Sequence, residues 1–215
     1  MNIGILGTGL VGNTLGTKLA ALGHDVKMGA RSATNEKAAA WVKQAGKRAS
    51  QGTFAEAAAF GEVLLNCTSG MVSLDALRQA GPANLDGKVL IDVANPLDFS
   101  KGMPPRLSVC NDDSLGEQIQ RAFPRTRVVK ALNTLTAALM AEPAALEGGD
   151  HDLFICGNDA KAKGTVREIL QSFGWKNIHD LGDITTARGT EMFLALWIRL
   201  FAALQSPKFN VKIVR

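Results

Sequence analysis

The first twelve residues, Met1-Asn2-Ile3-Gly4-Ile5-Leu6-Gly7-Thr8-Gly9-Leu10-Val11-Gly12, constrain this chain more than any other stretch. Ile3, Ile5 and Leu6 read as a buried strand, and Gly7-x-Gly9-x-x-Gly12 follows without a gap. From Leu10 to Leu22 a helical pattern sets Leu15, Leu19 and Leu22 on one face. A strand, a glycine turn and a helix in immediate succession read as the opening of a dinucleotide-binding unit; the competing reading is an ordinary strand-to-helix turn. In a dinucleotide-binding unit Gly7 allows the tight turn, Gly9 lets the backbone approach a pyrophosphate, and Gly12 brings the helix close to the strand. The free amides at the helix start then face the phosphates.

The end of the next strand decides which dinucleotide. His24-Asp25-Val26-Lys27-Met28-Gly29 reads as that strand, and it closes in Ala30-Arg31-Ser32 with no acid before Glu36. An NAD site places a carboxylate here, on the ribose hydroxyls. A carboxylate would repel a 2′-phosphate, whereas Arg31 can grip it in a charge-assisted fork and Ser32 can donate a hydroxyl. Lys37, near the start of the following helix, adds a third contact. The expected cofactor is NADP(H); the competing reading is an ordinary surface Arg-Ser turn.

Further along, strands and helices alternate. Asn35 to Ala45 is an alanine-rich helix stopped by Gly46, and Gly52-Thr53 caps a short helix from Phe54 to Ala59. Glu62 to Cys67 is a continuous apolar strand that runs into Thr68-Ser69-Gly70, with a helix from Val72 to Gln79 after it. Lys88 to Val93 is another strand, leading into Ala94-Asn95-Pro96-Leu97. Ligands of open α/β sheets bind at the carboxyl ends of strands, so Cys67, Thr68 and Ser69 are expected on the cofactor. Ala94, Asn95 and Pro96 either rest against a nicotinamide ring or form a plain structural turn. Residues 99–111 read as a surface loop or flap. A helix then runs from Asp113 to Phe123, and the strand Thr126 to Leu132 is followed at once by Asn133-Thr134. This alternation predicts an α/β fold, a Rossmann-type doubly wound parallel sheet.

From about Leu135 the pattern changes. Residues 1–135 are expected to form the NADP-binding domain, and 136–215 a small C-terminal α/β domain. The second part offers a broken helix at Ala137–Ala145, a strand at His151–Cys156, a helix at Ala160–Phe173 and a strand at Trp175–Leu181. A long helix from Ile184 to about Gln205 is apolar nearly all round, so it calls for burial in its own domain or against a partner subunit. Phe209, Val211 and Ile213 alternate with polar residues, which predicts a short edge strand at the tail.

Composition narrows the function classes. With 215 residues, 46% hydrophobic and 20% charged, the chain is an ordinary globular one. Its net charge of +4 is dispersed, and Lys43, Lys47 and Arg48 read as a solvated helix end, so no nucleic-acid partner is expected. Cys67, Cys110 and Cys156 are widely spaced, which predicts buried free thiols and no metal site. The first strand begins at once, so no leader is expected. The longest apolar stretch, Met192 to Leu204, contains Arg199 and is too short to span a bilayer, so no membrane partner is expected either. The expected setting is cytoplasmic. The three histidines, His24, His151 and His179, assemble with no nucleophile motif. Hydride transfer between two bound rings suits that poverty, because it needs alignment and exclusion of water more than acid–base help.

Several segments together resemble a known family. They are Gly7-Thr8-Gly9-Leu10-Val11-Gly12, Gly29-Ala30-Arg31-Ser32, Asn95-Pro96-Leu97, Val129-Lys130-Ala131-Leu132-Asn133-Thr134, Phe154-Ile155-Cys156-Gly157-Asn158-Asp159 and Leu181-Gly182-Asp183. The pattern is similar to the NADPH-dependent oxidoreductases that use the deazaflavin coenzyme F420, and to the cytoplasmic reductase domain of membrane ferric reductases. The resemblance implies Thr8, Gly9, Leu10 and Val11 on the pyrophosphate, and Arg31, Ser32 and Lys37 on the 2′-phosphate. It sets Thr68 and Ser69 beside the nicotinamide, and Ala131 to Thr134 against the acceptor ring, with Asn133 and Thr134 as the candidate catalytic pair. Deazaflavin-using members often carry a histidine after this strand, where this chain has Asn133-Thr134; flavin-type acceptors fit the same pattern. The expected activity is hydride transfer between NADP(H) and F420 or a flavin, in a homodimer joined by the last helix. The alternatives are an NADPH-dependent reductase of a small carbonyl or imine compound, and a non-catalytic NADP(H) sensor.

Overall fold

Ile3, Ile5 and Leu6 are wholly buried in β1 (Asn2–Leu6), near the centre of a sheet, in a computed structural model describing residues 1–215. A strand buried on both faces needs a partner on each edge and helices above and below. β1 has both. It pairs in parallel with β2 (Asp25–Ala30), Ile3 opposite Val26, and with β4 (Val63–Asn66), Ile3 opposite Val63.

The other sheet strands are β3 (Ala49–Thr53), β5 (Val89–Asp92), β8 (Arg127–Ala131), β9 (Asp152–Gly157) and β10 (Asn177–Asp180). Their order is β10-β9-β8-β5-β4-β1-β2-β3, parallel throughout except where β9 runs antiparallel to β8 with Cys156 opposite Lys130. The segment after residue 136 therefore adds two strands to the same sheet. A separate ribbon of β6 (Leu97–Asp98) and β7 (Arg106–Leu107) folds residues 97–107 back on themselves, where the sequence suggested a plain loop.

Alternation along the strands splits the core into two layers. Ile3, Ile5, Leu65, Ile91, Val129 and Ile155 face one side. There they meet Leu15 and Leu19 of α1 (Leu10–Ala21), Trp41 of α2 (Glu36–Ala45), Leu139 of α7 (Ala137–Ala141) and Val166 of α8 (Ala160–Ser172). Leu6, Leu64, Leu90, Val128 and Cys156 face the other side. They pack on α3 (Phe54–Phe60), α4 (Gly70–Ala80), the short α5 (Pro82–Leu85) and α6 (Leu115–Ala122). Each wholly buried aliphatic side chain contributes about 1.5–3 kcal/mol, so both layers are needed to hold the sheet.

One strand appears where the residues carry no signal for it, and two local expectations are corrected. The stretch 49–53 carries no β-branched run, yet it forms β3, because a half-exposed edge strand on β2 needs little apolar surface. The tail at 209–213 is extended but forms no ladder; one backbone bond, Asp152 N to Val211 O, holds it beside β9. The long helix α9 (Ala187–Leu204) begins after a 3₁₀ turn at Ile184–Thr186 and is buried only at Ala187, Thr190, Glu191 and Leu194. Leu196 and Leu204 remain more than half exposed. No helix is long and apolar enough to cross a membrane.

Candidate active site

The chain leaves β1 toward β2 and β3, then returns to the other side of β1 as β4. This reversal opens a crevice at the carboxyl ends of β1 and β4, the place where sheets of this kind bind ligands.

The turn above β1 is built by its glycines. Gly7 lies at φ +119°, and a Cβ there would fall 2.6 Å from the carbonyl oxygen of Cys67. Gly12 packs so closely that a Cβ would fall 2.3 Å from Gly7 O. Gly9 differs: a Cβ there would meet nothing within 4 Å. Gly9 is also the N-cap of α1 and supplies no side-chain cap. The first amides of a twelve-residue helix, with Thr8 and the exposed Leu10 beside them, therefore face open space. That arrangement suits an anion.

Beyond β2, Arg31, Ser32 and Lys37 are all exposed. The Ser32 hydroxyl accepts from Thr34 N at 3.2 Å, and Asn35 caps α2 by accepting from Ala38 N at 3.0 Å. Arg31 forms no ion pair. It borders a cleft of about 340 Å³ with Phe54, Thr68, Val72, Asp75, Ala76 and Gln79. The one carboxylate in this wall, Asp75, is engaged by Arg78 at 2.6 Å.

A second cavity of about 280 Å³ lies at the ends of β4 and β5. One side is polar, formed by Thr68, Ser69 and Asn95. The other is apolar, formed by Val11, Leu97, Phe99, Leu135 and Met140; Cys67, Gly70, Val93 and Ala94 complete it. Thr68 lines both hollows. Pro96 is buried behind Asn95. Burial, followed by the nearby Asp92 carboxylate, pushes the Cys67 thiol well above its ordinary range. It stays protonated and is a poor nucleophile.

Asn133 and Thr134 are buried rather than open to the cavity. Asn133 Nδ2 donates to Asn95 Oδ1 at 3.0 Å and to Thr190 O at 3.1 Å, while Asn95 Nδ2 donates back to Asn133 O at 2.7 Å. Leu132 before them sits at φ +65°, a left-handed conformation that a bulky residue adopts only where its surroundings enforce it. Leu132 is 2% exposed, so the packing that enforces it is in place. The residues of this strand end that reach ligand space are Leu135 and, through Asn133, Asn95.

The histidines lie elsewhere. His151 bonds Pro143 O and Asn210, His179 lies 3.2 Å from Asp152, and His24 sits near the N-terminus. No group of three or more His, Cys, Asp or Glu side chains converges to hold a metal ion.

Beneath the polar wall is a buried charge cluster absent from the sequence reading. Lys130 Nζ lies 2.8 Å from Asp92 Oδ2 and 2.8 Å from Glu191 Oε1, all three side chains being at most 2% exposed. Burial pulls the Lys130 ammonium down, but the two carboxylates outweigh it and its pKa is raised. The signal was present as single charges inside Leu90-Ile91-Asp92-Val93 and Val128-Val129-Lys130-Ala131. A charge in a buried strand requires a partner.

A helix start with no side-chain cap, an unpaired arginine at the second strand end and a half-apolar chamber at the ends of β4 and β5 define the class: a Rossmann-type dinucleotide-binding oxidoreductase. The family model for "NADP oxidoreductase coenzyme F420-dependent" matches residues 2–96. A crystal structure described as an F420-dependent NADP-reductase from Arthrobacter sp. FB24 is 50% identical, superposes with a TM-score of 0.96 and covers 100% of both chains. The chain belongs to the family of coenzyme F420-dependent NADP oxidoreductases. The F420-dependent NADP reductase of Methanocaldococcus jannaschii is 28% identical over 160 residues, 74% of this chain and 70% of that one. Rat metalloreductase STEAP3 is 31% identical over 212 residues, or 95% of this chain, but the chain spans only 38% of the metalloreductase's length. The residues described above fit NADP(H): the one carboxylate of the Arg31 cleft, Asp75, is paired with Arg78, and the first amides of α1 carry no side-chain cap.

Proposed function

We propose that this protein passes a hydride between NADP(H) and a deazaflavin or flavin-type ring. The observation that carries the reading is that Thr68 lines two hollows, one bordered by unpaired Arg31 and the other by an apolar wall. Arg31, Ser32 and Lys37 take the 2′-phosphate, and Thr8, Gly9, Leu10 and Val11 the pyrophosphate. Thr68, Ser69 and Asn95 form the polar side against the nicotinamide, with Cys67 and Ala94 beside them and Pro96 fixing the turn from behind. When bound there, the dinucleotide would supply the hydride chemistry, and these residues would hold its ring in place. Val11, Leu97, Phe99, Leu135 and Met140 give a flat ring an apolar surface and keep water away, which is most of what alignment-driven transfer asks of a protein. Asn133 and Thr134 serve from behind, Asn133 by holding Asn95 in place. The exposed apolar side of α9 joins two copies as a homodimer.

The test is to follow NADPH absorbance with a panel of acceptors: F420, FMN, FAD, ferric chelates and quinones. Rapid oxidation with F420 or a flavin is the expected result, with NADH much poorer. Tight NADPH binding without turnover on any acceptor replaces this reading with the sensor.

A further inference from the structure

Nothing in the proposed reaction uses the buried cluster of Lys130, Asp92 and Glu191, yet its hydrogen bonds lead directly to the cavity. Asp92 Oδ1 accepts from Asn66 Nδ2 at 2.8 Å and from Ala94 N at 3.3 Å. Asn66 Oδ1 in turn accepts from Thr68 Oγ1 at 2.7 Å and Thr68 N at 3.3 Å. Ser73 Oγ lies 2.8 Å from Thr68 Oγ1 and accepts from Asn66 Nδ2 at 3.0 Å. Lys130 Nζ also donates to Ala94 O. Both loops of the polar wall, 66–70 and 94–96, are thus tied to one buried cation. At its far side the cluster is closed by Glu191, which accepts from Leu115 N at 2.8 Å and Gly116 N at 3.0 Å at the start of α6.

Fold stability is a weak reason for such a cluster. Removing three charges from water costs about as much as their attraction returns, and apolar side chains of similar volume hold strands together as well. What apolar packing lacks is direction: hydrogen bonds to ions fix the rotamers of Asn66 and Thr68 and the Ala94 peptide. We propose that Lys130, through Asp92 and Asn66, is a positioning residue that holds Thr68 and the Ala94–Asn95 loop in register against the nicotinamide. Lys130 touches neither cofactor nor acceptor. Its effect is on the orientation of the ring, and this rests on the nicotinamide placement proposed above.

Three variants separate the possibilities: Lys130→Met, Asp92→Asn and Thr68→Val. Asp92→Asn keeps the side-chain length, but its NH₂ must replace either the oxygen that accepts from Lys130 or the one that accepts from both Asn66 and Ala94, so the wall loses its tie to Lys130 or both of its own bonds to residue 92. Each is measured for NADPH affinity, for the fluorescence lifetime of bound NADPH, for melting temperature and for the single-turnover rate with F420 or FMN. The expected result for Lys130→Met and Asp92→Asn is unchanged NADPH affinity with a shorter nicotinamide lifetime. The transfer rate should fall ~10- to 100-fold, the scale of a misalignment of about an ångström. Asp92→Asn carries the test if Lys130→Met does not fold. A lowered melting temperature with wild-type lifetime and rate makes the cluster merely structural and overturns the proposal. If Thr68→Val also leaves affinity, lifetime and rate untouched, the nicotinamide lies elsewhere, and the placement and the proposal both fall. If Thr68→Val acts while Asp92→Asn does not, the placement stands and the positioning role alone is lost.

Discussion

Gly9 and Gly12 stand three residues apart and answer to different neighbours, which makes them separable by a single methyl group. A Cβ on Gly12 meets backbone at 2.3 Å, while one on Gly9 meets open space. Gly12→Ala is therefore expected to lower stability by about 1–3 kcal/mol through overpacking, and NADPH affinity with it. Gly9→Ala should cost only the loss of a favourable N-cap residue, about 0.5–1 kcal/mol and less than Gly12→Ala, and still weaken NADPH binding, since the methyl enters the anion's space. Thermal melts and fluorescence titrations on the two variants check both statements. Arg31 is the other informative residue. Its guanidinium has no carboxylate partner, so Arg31→Ala costs the fold nothing that is visible in the structure. It should weaken NADPH binding by about 1.5–3 kcal/mol, the worth of a charge-assisted bond, and leave NADH unchanged. Equal losses for both dinucleotides in calorimetry would remove the 2′-phosphate from this position.

Among the elements, α6 is held by charge where α1 is left open. Ser114 and Glu117 cap each other at its start, and Arg188 of α9 grips Glu117 at 2.9 and 2.6 Å. Asp113 accepts two bonds from Arg121, at 2.9 and 2.7 Å. That guanidinium is the first cause holding the Asp113 carboxyl down to about 2, from an ordinary 3.8. The folded value is depressed, so the pair's contribution is complete above the unfolded value and disappears as pH falls from about 4 toward 2. Asp113→Asn should flatten the acid limb of stability against pH in that window and leave the alkaline limb alone, as denaturant melts at stepped pH would show. The contrast between the two helices bears on function: α6 spends its N-terminal amides on Glu191 and its own cap, and α1 keeps its own for a ligand.

Across the whole molecule, the unfinished surface is the outer half of α9. Leu196, Phe201 and Leu204 are 55%, 40% and 56% exposed along one helix, with Trp197 stacked between Phe201 and Phe209 at 5.8 and 5.1 Å. Exposed large apolar side chains clustered on one helix mark an interaction surface. With the proposed homodimer, sedimentation at micromolar concentration gives twice the 22.8 kDa chain mass, and Phe201→Asp with Leu196→Glu returns it to one. A wild-type monomer at that concentration removes the second copy from α9.

Much of this was legible in the residues. The glycine spacing, the apolar strands and the absence of an acid before Glu36 depend on local chemistry: backbone angles, side-chain period and charge at a strand end. They determined the sheet, the crevice and the phosphorylated dinucleotide. The edge strand at 49–53 was not legible, because its pairing with β2 substitutes for propensity it lacks. Asn133 and Thr134 read as residues facing a ligand, but only packing shows that they are buried beyond a left-handed Leu132, with Asn133 bonded to Asn95. The place of Thr68 in the lining of two hollows and the meeting of Lys130, Asp92 and Glu191 from β8, β5 and α9 were decided by tertiary structure alone. Sequence order carries the type of each charge; which charges share one dry volume is set by how strands distant in the chain lie side by side.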